Sequence, residues 1–414
     1  MPYKASAAGC SRYGDRSQTL PPYTLYIIIY ILTPRRKNSI TMDLSRLRNI
    51  LTMAVAASAM ASCSMMEEDL SGCPDGLDVY FKYDYNIQRA DMFADHVGAV
   101  TVYVFDEEDR LVMQRSVANA EGDAPLKEHG FAMHFSSKEL APGRYSLLAL
   151  AGQKAYGDML QAPGAKFRRT ELKPGDDISK LMVTLDRGET TMDGLAPVEN
   201  ESMPLDTLWH GLNVRTVELR PDRTVGGVLA AVRDTISLIR DTKQLNITLR
   251  QSEAEGEMLV DNYDVRIIDR NGLLAYDNTP STEDTRLLYT PYAWWQTGMD
   301  DDPMSSTPGA VGLQAAHYEL FTSRIMYHAD APQEDARLVI TNRTNGEKVV
   351  DINLPYYLTA DRDMFSTYRY TPQEFLDREY KYNMSFFLVG GQWQYMIFSI
   401  GILDYSVRYQ NENL

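Results

Sequence analysis

Basic residues are in the minority in this sequence, with 41 Lys and Arg against 57 Asp and Glu and a net charge of −16. Residues 1–62 hold eight basic and two acidic residues, so the rest of the chain is more acidic still, at −22. Such a surface repels nucleic acid and anionic lipid. We therefore expect no nucleic acid partner. The hydrophobic content of 44% suits packed cores and argues against disorder.

The sequence also lacks the short motifs by which many enzymes bind phosphate or activate a nucleophile. No Gly-x-Ser-x-Gly elbow, phosphate-binding loop or Gly-x-Gly-x-x-Gly turn follows a predicted strand. Paired carboxylates for glycoside hydrolysis meet only in space, so the sequence neither supports nor excludes them. We predict a protein that is not an enzyme and that binds no cofactor.

Histidine is rare, at six residues, and this scarcity limits the metal sites that can be predicted. His129 and His134 are five apart, with Asp123 and Glu128 nearby, but a zinc site needs three or four convergent ligands. Nothing at a suitable spacing supplies the rest. The acidic runs 107–109 and 300–302 do not follow the calcium-loop pattern of an EF-hand, so we predict no metal site.

The region around Cys63 has the layout of a secretory signal peptide. Arg46 and Arg48 precede a short apolar stretch, residues 50–60, which leads into Ala61-Ser62 and then Cys63. A cysteine at the first mature position is typical of a lipobox, where the thiol carries diacylglycerol. We predict a lipoprotein signal peptide over residues 42–62, lipidation of Cys63, and a tether over residues 63–74.

Residues 1–41 do not fit this layout, because a signal peptide begins within a few residues of its basic region and Met42 supplies such a start. The earlier apolar run, residues 23–32, is too short to span a bilayer of about 30 Å as a helix. We predict that residues 1–41 are an upstream, non-native extension. The alternative is a long targeting prefix.

Cysteine is scarce as well, with three in the chain. Cys10 lies in the predicted extension and Cys63 in the lipobox, so Cys73 is left as the single thiol of the mature chain. No intramolecular disulfide can then form, and stability must come from core burial. We expect Cys73 to be reduced and structural; the alternative is a disulfide between two molecules.

Strand patterns dominate the rest of the chain. Residues 99–106 alternate β-branched and aromatic side chains, and the run of residues 140–152 places a Pro-Gly turn before a strand. Asn271-Gly272 and Asn345-Gly346 each lie between two such runs and predict hairpin turns. Thr371-Pro-Gln-Glu374 predicts a capped helix start. Many short strands and few helices predict an all-β fold of tandem β-sandwiches.

The mature length of about 350 residues predicts two domains. Polar, Gly and Pro residues cluster near residues 220–227, so we place the N-terminal β-sandwich at 75–220 and the C-terminal one at 221–414.

Trp294 and Trp295 are candidate partner or glycan contacts, because they adjoin an acidic, Pro- and Gly-rich run. We expect one of them in the core and the other half-buried at a strand edge. The alternative is an exposed loop that stacks on sugars or binds a protein partner.

Taken together, several segments resemble FimB-type fimbrial anchor lipoproteins over nearly the whole mature chain. The segments that carry this resemblance are residues 67–74, 102–106, 205–211, 237–243, 322–326 and 371–380.

This resemblance implies two transthyretin-like Greek-key β-sandwich domains and membership of the fimbrillin superfamily of type V pili. It implies an outer-membrane lipoprotein, surface-exposed through its Cys63 lipid, that holds a fimbrium at its base and helps to limit its growth. The implied partners are fimbrial stalk subunits, bound by β-strand addition. Residues 67–69 resemble the acidic signal that directs such lipoproteins to the cell surface.

Two other functions remain open from the sequence. One is a surface glycan-binding lipoprotein of a nutrient-uptake system, with Trp294 and Trp295 as the stacking platform. The other is a fimbrial tip adhesin.

Overall fold

Strands make up most of the regular structure, and the prediction of an all-β fold with few short helices is confirmed. This computed structural model describes residues 75–212, 216–220, 224–225, 228–229, 231–251, 258–297, 314–360, 362–364, 367–400 and 406–410. The strands within those ranges are β1 (Leu77–Lys82), β2 (Ala99–Phe105), β3 (Leu111–Ala118), β4 (Ala132–Phe135), β5 (Gly143–Gly152), β6 (Phe167–Arg169), β7 (Val183–Leu185), β8 (Leu195–Pro197), β9 (Trp209–Leu212), β10 (Val217–Leu219), β11 (Thr224–Val225), β12 (Val228–Leu229), β13 (Val232–Ser237), β14 (Ile239–Arg240), β15 (Lys243–Gln251), β16 (Tyr263–Asp269), β17 (Leu273–Leu274), β18 (Arg286–Tyr289), β19 (Ala293–Thr297), β20 (Ala315–Thr322), β21 (Arg337–Asn342), β22 (Lys348–Asn353), β23 (Lys381–Val389), β24 (Gln392–Ile400) and β25 (Ser406–Gln410).

The helices are short. The α-helices of the described residues are α1 (Phe93–His96), α2 (Tyr156–Gln161), α3 (Leu354–Thr359) and α4 (Pro372–Arg378). Turns of 3₁₀ helix lie at Pro125–Lys127, Ile178–Lys180, Val260–Asn262, Pro332–Glu334 and Arg362–Met364.

Two sheets enclose a first core. β1 is the middle strand of a three-stranded sheet in the order β13-β1-β4, parallel to β13 and antiparallel to β4. The second sheet has six strands, in the order β14-β9-β5-β2-β3, with β10 also pairing with β5. Apolar side chains of both sheets, such as Val79 on β1 and Val102 on β2, are buried together in this core.

The six-stranded sheet is buried on both of its faces. On β5, Leu147 and Ala149 lie in the first core, whereas Leu148 and Leu150 lie in a second one. Successive side chains of a strand point to opposite faces, so a strand between two cores is apolar at nearly every position. This explains the unbroken apolar run in the sequence of β5.

A second sandwich surrounds the second core. One of its sheets has the order β19-β20-β15-β23-β24-β25, in which β15 and β23 are parallel. The other has the order β22-β21-β16-β18-β8, and a separate small sheet has the order β17-β7-β6. Ile247 of β15 and Ile267 of β16 are buried in the same core, which therefore lies between the two larger sheets.

Segments from either side of residue 220 share sheets. β13 and β14 pair with β1 and β9, and β7 and β8 pair with β17 and β18. Residues 76–221 and 232–414 form one compact unit. Residues 1–75 and 222–231 form another, in which the described feature is the antiparallel pair β11–β12. The division of the chain into domains at residue 220 stays a prediction.

The predicted helix start at Thr371 is confirmed. The Thr371 side chain accepts a hydrogen bond from the backbone N–H of Glu374, and Pro372 is the first residue of α4. This cap satisfies a donor that the first turn of a helix leaves without an intrahelical partner. Phe375 and Leu376 are buried in the second core, so they hold α4 against the sandwich.

One predicted hairpin is confirmed and the other is wrong. Gly346, with φ 74°, lies in the turn between the antiparallel strands β21 and β22. At Asn271-Gly272, by contrast, β16 pairs with β18 and β21, and β17 pairs with β7. Asn271 is buried there and donates to the Arg324 carbonyl at 3.0 Å, so the segment serves the interior and not an exposed turn.

Candidate functional site

Trp294 and Trp295 both lie on the surface, in β19, the outer strand of its sheet as far as the described residues go. The expectation that one of them is in the core is wrong, since 51% of Trp294 and 43% of Trp295 is exposed. The reason is their position: β19 lies beyond the edge of the second core. Being adjacent, the two side chains point to opposite faces of the strand.

The two tryptophans have different surroundings. Trp295 pairs across the strands with His317, and their rings stack with centroids 5.1 Å apart and an interplanar angle of 14°. Trp294 pairs with Tyr318, whose ring is buried in the second core. Trp294 therefore lies on the face of the sheet that turns toward the opposite sheet.

A cleft of about 320 Å³ opens beside Trp294, and we call it the Trp294 cleft. It lies at one edge of the second sandwich, because β19 and β20 line one side and β16 lines the other. The lining residues are Asn200, Ser202, Val260, Asp261, Tyr263, Asp264, Val265, Thr290, Pro291, Trp294, Tyr318 and Arg343.

Hydrogen bonds and ion pairs fix several of the polar groups in the cleft. The carboxylate of Asp264 lies 2.5 Å from Arg266 Nε and 3.5 Å from Arg343 Nη2. Asn200 Nδ2 donates to the Thr290 carbonyl at 3.0 Å. Because these groups are held in place before any ligand arrives, less conformational entropy is lost when one binds.

Burial affects the tyrosines of the cleft. Desolvation raises the pKa of Tyr263 and raises that of Tyr318, so both phenols stay neutral at physiological pH. The Tyr318 hydroxyl donates to the Val260 carbonyl at 2.6 Å, and Tyr318 is one of the residues that line the cleft. The cleft thus combines neutral aromatic rings with fixed polar side chains.

A second polar arrangement lies inside the protein, and we call it the buried polar cluster. It consists of Asp241, Lys243, Asn278, Arg324 and Asp377, all of them buried. Lys243 is 0% exposed, and its Nζ donates to the carbonyl oxygens of Arg240 at 2.9 Å, Leu376 at 2.6 Å, Asp377 at 3.3 Å and Glu379 at 3.0 Å.

The rest of the buried polar cluster continues from Arg324. Its guanidinium makes two hydrogen bonds to Asp377 and a third to the Asn278 carbonyl. Asn278 Nδ2 in turn donates to Asp241 Oδ1 at 2.7 Å. The cluster therefore joins the start of β15 and the residues just before it, the segment after β20, the loop after β17 and the helix α4.

Burial also shifts the ionisation of these groups. Desolvation raises the pKa of Asp241 and lowers the pKa of Lys243. The nearby ring of His210 is buried as well, which lowers its pKa to about 4. A neutral His210 fits its contact, since Nε2 lies 2.6 Å from the Tyr276 carbonyl and can donate to it.

The buried polar cluster was not among the sequence predictions, although the sequence carries a signal for it. Lys243, Leu245 and Ile247 share one face of β15, so an inward-facing lysine begins an otherwise apolar row. A buried lysine needs partners that satisfy its charge. Lys243, Arg324 and Asp377 each lie in a segment that resembles fimbrial anchor lipoproteins. These segments are residues 237–243, 322–326 and 371–380.

Several predicted residues and segments lie outside the described residues. They are Cys63 and Cys73, the signal peptide, the tether and the acidic run 300–302. Lipidation of Cys63 therefore stays a prediction. Among the described residues, no helix is both long enough and apolar enough to cross a membrane. In the same part of the chain, no group of three or more His, Cys, Asp and Glu could hold a metal ion.

The comparison with protein families matches residues 70–411 to a family described as fimbrillin-A associated anchor proteins Mfa1 and Mfa2. Among curated proteins, none matches the chain.

Three solved structures are similar over most of the chain. A provisionally assigned polysaccharide-binding protein from Bacteroides thetaiotaomicron is 27% identical, with a TM-score of 0.61, and the match covers 82% of this chain and 99% of the other. A provisionally assigned adhesin from the same organism is 26% identical, with a TM-score of 0.62 and coverage of 81% and 98%. The fimbrial anchor protein Mfa2 from Porphyromonas gingivalis is 13% identical, has a TM-score of 0.51 with coverage of 79% and 98%, and is alike in fold alone.

Proposed function

The chain belongs to the family of fimbrillin-A associated anchor proteins, and from this premise we propose that it anchors a fimbrium to the cell surface. The match over residues 70–411 is the observation that carries the proposal. It also confirms the resemblance to fimbrial anchor proteins that the sequence analysis drew from six short segments. The family is one of fimbrial proteins and not of enzymes, and it implies a location at the cell envelope.

In this proposal, lipid on Cys63 attaches the chain to the outer membrane. The support is the sequence alone: a basic region, a short apolar stretch and small residues before the cysteine. Each buried methylene of an acyl chain contributes about 0.8 kcal/mol, and stable attachment takes more than one chain. A lipoprotein with several acyl chains would resist the pull of a fimbrium.

The partner in this proposal is the first stalk subunit, bound by β-strand addition. An outer strand presents backbone N–H and C=O groups that an extended segment of another chain can pair with. As far as the described residues go, β3, β19 and β22 are among the outer strands of their sheets, and they are the candidate acceptors in this proposal. The stalk segment would add to one of them, and fixing the first subunit in this way would also limit how far assembly proceeds.

Replacement of Cys63 in the native host tests the lipid anchor. We expect Cys63→Ala to release this protein from the membrane and to shed fimbriae into the medium, while Ser64→Ala leaves both in place. Because the variant could also fail to be processed, Cys63→Ala is repeated behind a signal peptide that does not require lipidation. Fimbriae that stay attached to cells while the exported variant is soluble would contradict the proposal.

Site-specific cross-linking tests strand addition. Gln114 on β3, Gln296 on β19 and Asp351 on β22 are exposed, so each can be changed to Cys in separate variants and labelled with a photo-cross-linker. We expect one of the three to form a covalent adduct with the stalk subunit on intact cells. Anchored fimbriae with no adduct at any of the three positions would rule out these strands as acceptors.

A further inference from the structure

The Trp294 cleft has features that the anchoring role leaves unused. Its volume of about 320 Å³ falls within the range of small-molecule sites, which is about 300–1,000 Å³. It lies where the two sheets of the second sandwich separate, so it is concave and open to solvent at Trp294. Small-molecule sites are concave in this way and hold a few polar groups at fixed positions.

Aromatic rings form part of this wall. Trp294 is large and apolar, yet 51% of it is exposed, and it pairs across the strands with Tyr318. Tyr263 lines the same cleft from the opposite sheet. A flat ring with an exposed face offers apolar contact to a flat ligand at small entropic cost, and Trp offers the largest such area.

Polar side chains complete the wall. Asp264, held by Arg266 and Arg343, presents a carboxylate, and Asn200 presents an amide. Carboxylate, guanidinium and amide groups can each make two hydrogen bonds in one plane, which matches a pair of neighbouring hydroxyl groups. An aromatic face beside such planar groups fits a sugar ring, which is apolar on its faces and polar at its rim.

The turn that carries Asn200 into the cleft has an unusual backbone. Glu201 and Ser202 follow it with φ of 51° and 58°, a left-handed conformation that non-glycine residues adopt at an energetic cost. Ser202 N–H donates to Asn200 Oδ1 at 3.0 Å and so orients the amide. Strained residues of this kind cluster at ligand sites, where the surrounding structure maintains them.

The charge of the cleft selects among sugars. Asp261 and Asp264 both line it, and Arg343 is the basic residue among the described lining residues. The chain as a whole carries a net charge of −16. Acidic sugars and phosphates would meet carboxylates here, and they would approach a protein of the same sign.

We propose that the Trp294 cleft binds a neutral carbohydrate, with one sugar ring stacked on Trp294 and its hydroxyl groups bonded to Asn200, Asp264 and Arg343. This inference goes beyond the proposed anchoring, because it needs neither a lipid on Cys63 nor a stalk subunit. An anchor with such a site would also attach its cell to a glycan-covered surface.

Affinity electrophoresis of the full chain, purified in mild detergent, tests this proposal. The gels contain mannan, arabinogalactan or dextran as neutral probes and polygalacturonate as the acidic probe. We expect retardation by at least one neutral glycan and none by polygalacturonate. Failure of all three neutral glycans to retard the protein would overturn the proposal, as would retardation by polygalacturonate alone.

Three single substitutions test whether the glycan binds in the Trp294 cleft. Trp294→Ala should weaken binding by about tenfold or more, because the stacking ring is lost. Trp295→Ala is the matched control, since Trp295 lies on the same strand but on its other face. The affinity of this variant for the glycan should stay within about twofold of the wild-type affinity. Arg343 is an exposed residue in the turn after β21, and Arg343→Met should weaken binding through lost hydrogen bonds.

Equal weakening by Trp294→Ala and Trp295→Ala, or none by Trp294→Ala, would overturn the assignment of the site. An apolar peptide that binds in a Trp294-dependent way and displaces no glycan would assign the cleft to peptides instead. Circular dichroism of each variant separates lost binding from lost folding. Glycan binding that persists in Cys63→Ala protein would show that this site is independent of the anchor.

Discussion

Arg324 and Asp377 form a two-point ion pair, with Nε 2.8 Å from Oδ1 and Nη2 2.7 Å from Oδ2. Both side chains are buried, so neither charge is solvated by bulk water. Arg324 follows β20 and Asp377 lies in α4, and the pair therefore fixes the helix against the end of a strand. Removing one partner of such a pair costs far more than the pair itself contributes, because the other charge is left buried.

Arg324→Leu is predicted to lower the free energy of unfolding by about 3–5 kcal/mol, because Asp377 would remain buried without its cation. Arg324→Lys keeps the charge but loses the two-point geometry, so a smaller loss of about 1–3 kcal/mol is expected. Urea denaturation measures both. The exposed Arg337–Asp351 pair supplies the control, since Arg337→Leu should cost less than about 1 kcal/mol. Equal losses at the two sites would contradict the prediction.

Lys243→Met should be among the most destabilising single changes. It keeps the length of the side chain but removes the donor shared by four buried carbonyl groups. We expect a loss of about 3–5 kcal/mol, again by urea denaturation, because unsatisfied buried acceptors are costly. Lys348→Met, which removes an exposed lysine that pairs with Asp351, is the comparison and should cost less than about 1 kcal/mol. A mild effect at Lys243 would mean that the carbonyls find other donors.

Stability should depend on pH through Asp269. Burial raises the pKa of this carboxyl in the folded protein to about 7, above the unfolded value of about 3.9. The folded chain therefore holds a proton that the unfolded chain has lost over this interval. Its stabilising contribution is complete below the unfolded pKa and is lost as the pH rises through 7.

Asp269→Asn isolates this contribution. The free energy of unfolding of the wild type minus that of the variant should fall by up to about 4 kcal/mol between pH 4 and pH 7. Subtracting the variant removes the opposing effect of His210, whose lowered pKa of about 4 makes the fold more stable as the pH rises. Asp193→Asn, at an exposed position, controls for the loss of one charge. A difference that does not vary with pH would contradict the prediction.

Two glycines should respond in opposite directions to the same substitution. Gly346→Ala places a side chain at φ 74° in the β21–β22 turn and should cost about 1–2 kcal/mol. Gly157→Ala lies in α2, where an added Cβ meets no atom within 4 Å, and should stabilise by up to about 1 kcal/mol. Thermal unfolding measures both changes. Melting temperatures that shift in the same direction in both variants would contradict this prediction.

Local signals in the sequence were sufficient where the structure itself is local. The start of α4 depends on Thr371 and Pro372, and the β21–β22 turn depends on Gly346. Each acts through residues a few positions away, so each could be predicted without knowledge of the fold. The β-branched and aromatic residues of β2 likewise predicted a strand at its position, but not that both of its faces are buried, Val102 in the first core and Tyr103 in the second.

Local sequence patterns did not predict pairings between strands that are distant in the chain. Asn271-Gly272 has the composition of a hairpin turn, but β16 on one side pairs with β18 and β21, and β17 on the other pairs with β7. Turn propensity does not report which strands a sheet will bring together. Trp294 and Trp295 were misplaced for a related reason, since hydrophobicity alone does not distinguish an outer strand from a central one.

The lining of the Trp294 cleft could be predicted only in part, for the same reason. Trp294 was visible in the sequence as a candidate contact, but Tyr263, Tyr318 and Arg343 come from strands and a turn scattered over 80 residues of chain. Their convergence depends on the way the two sheets of the sandwich face each other. In the buried polar cluster, Lys243 carries a sequence signal that was not used, because a lysine at the head of an inward-facing apolar row can be recognised before the fold is known.

The position of β1 determines how tension would act on this molecule. A force on the chain ahead of Leu77 runs along β1, which is held by β13 on one side and β4 on the other. Pulling this strand lengthwise strains the hydrogen bonds of both ladders at once, in shear, whereas an outer strand pulled sideways unzips one bond at a time. In the proposed anchoring role, release of a cell held in flowing liquid would thus require rupture of all these hydrogen bonds together and not gradual peeling.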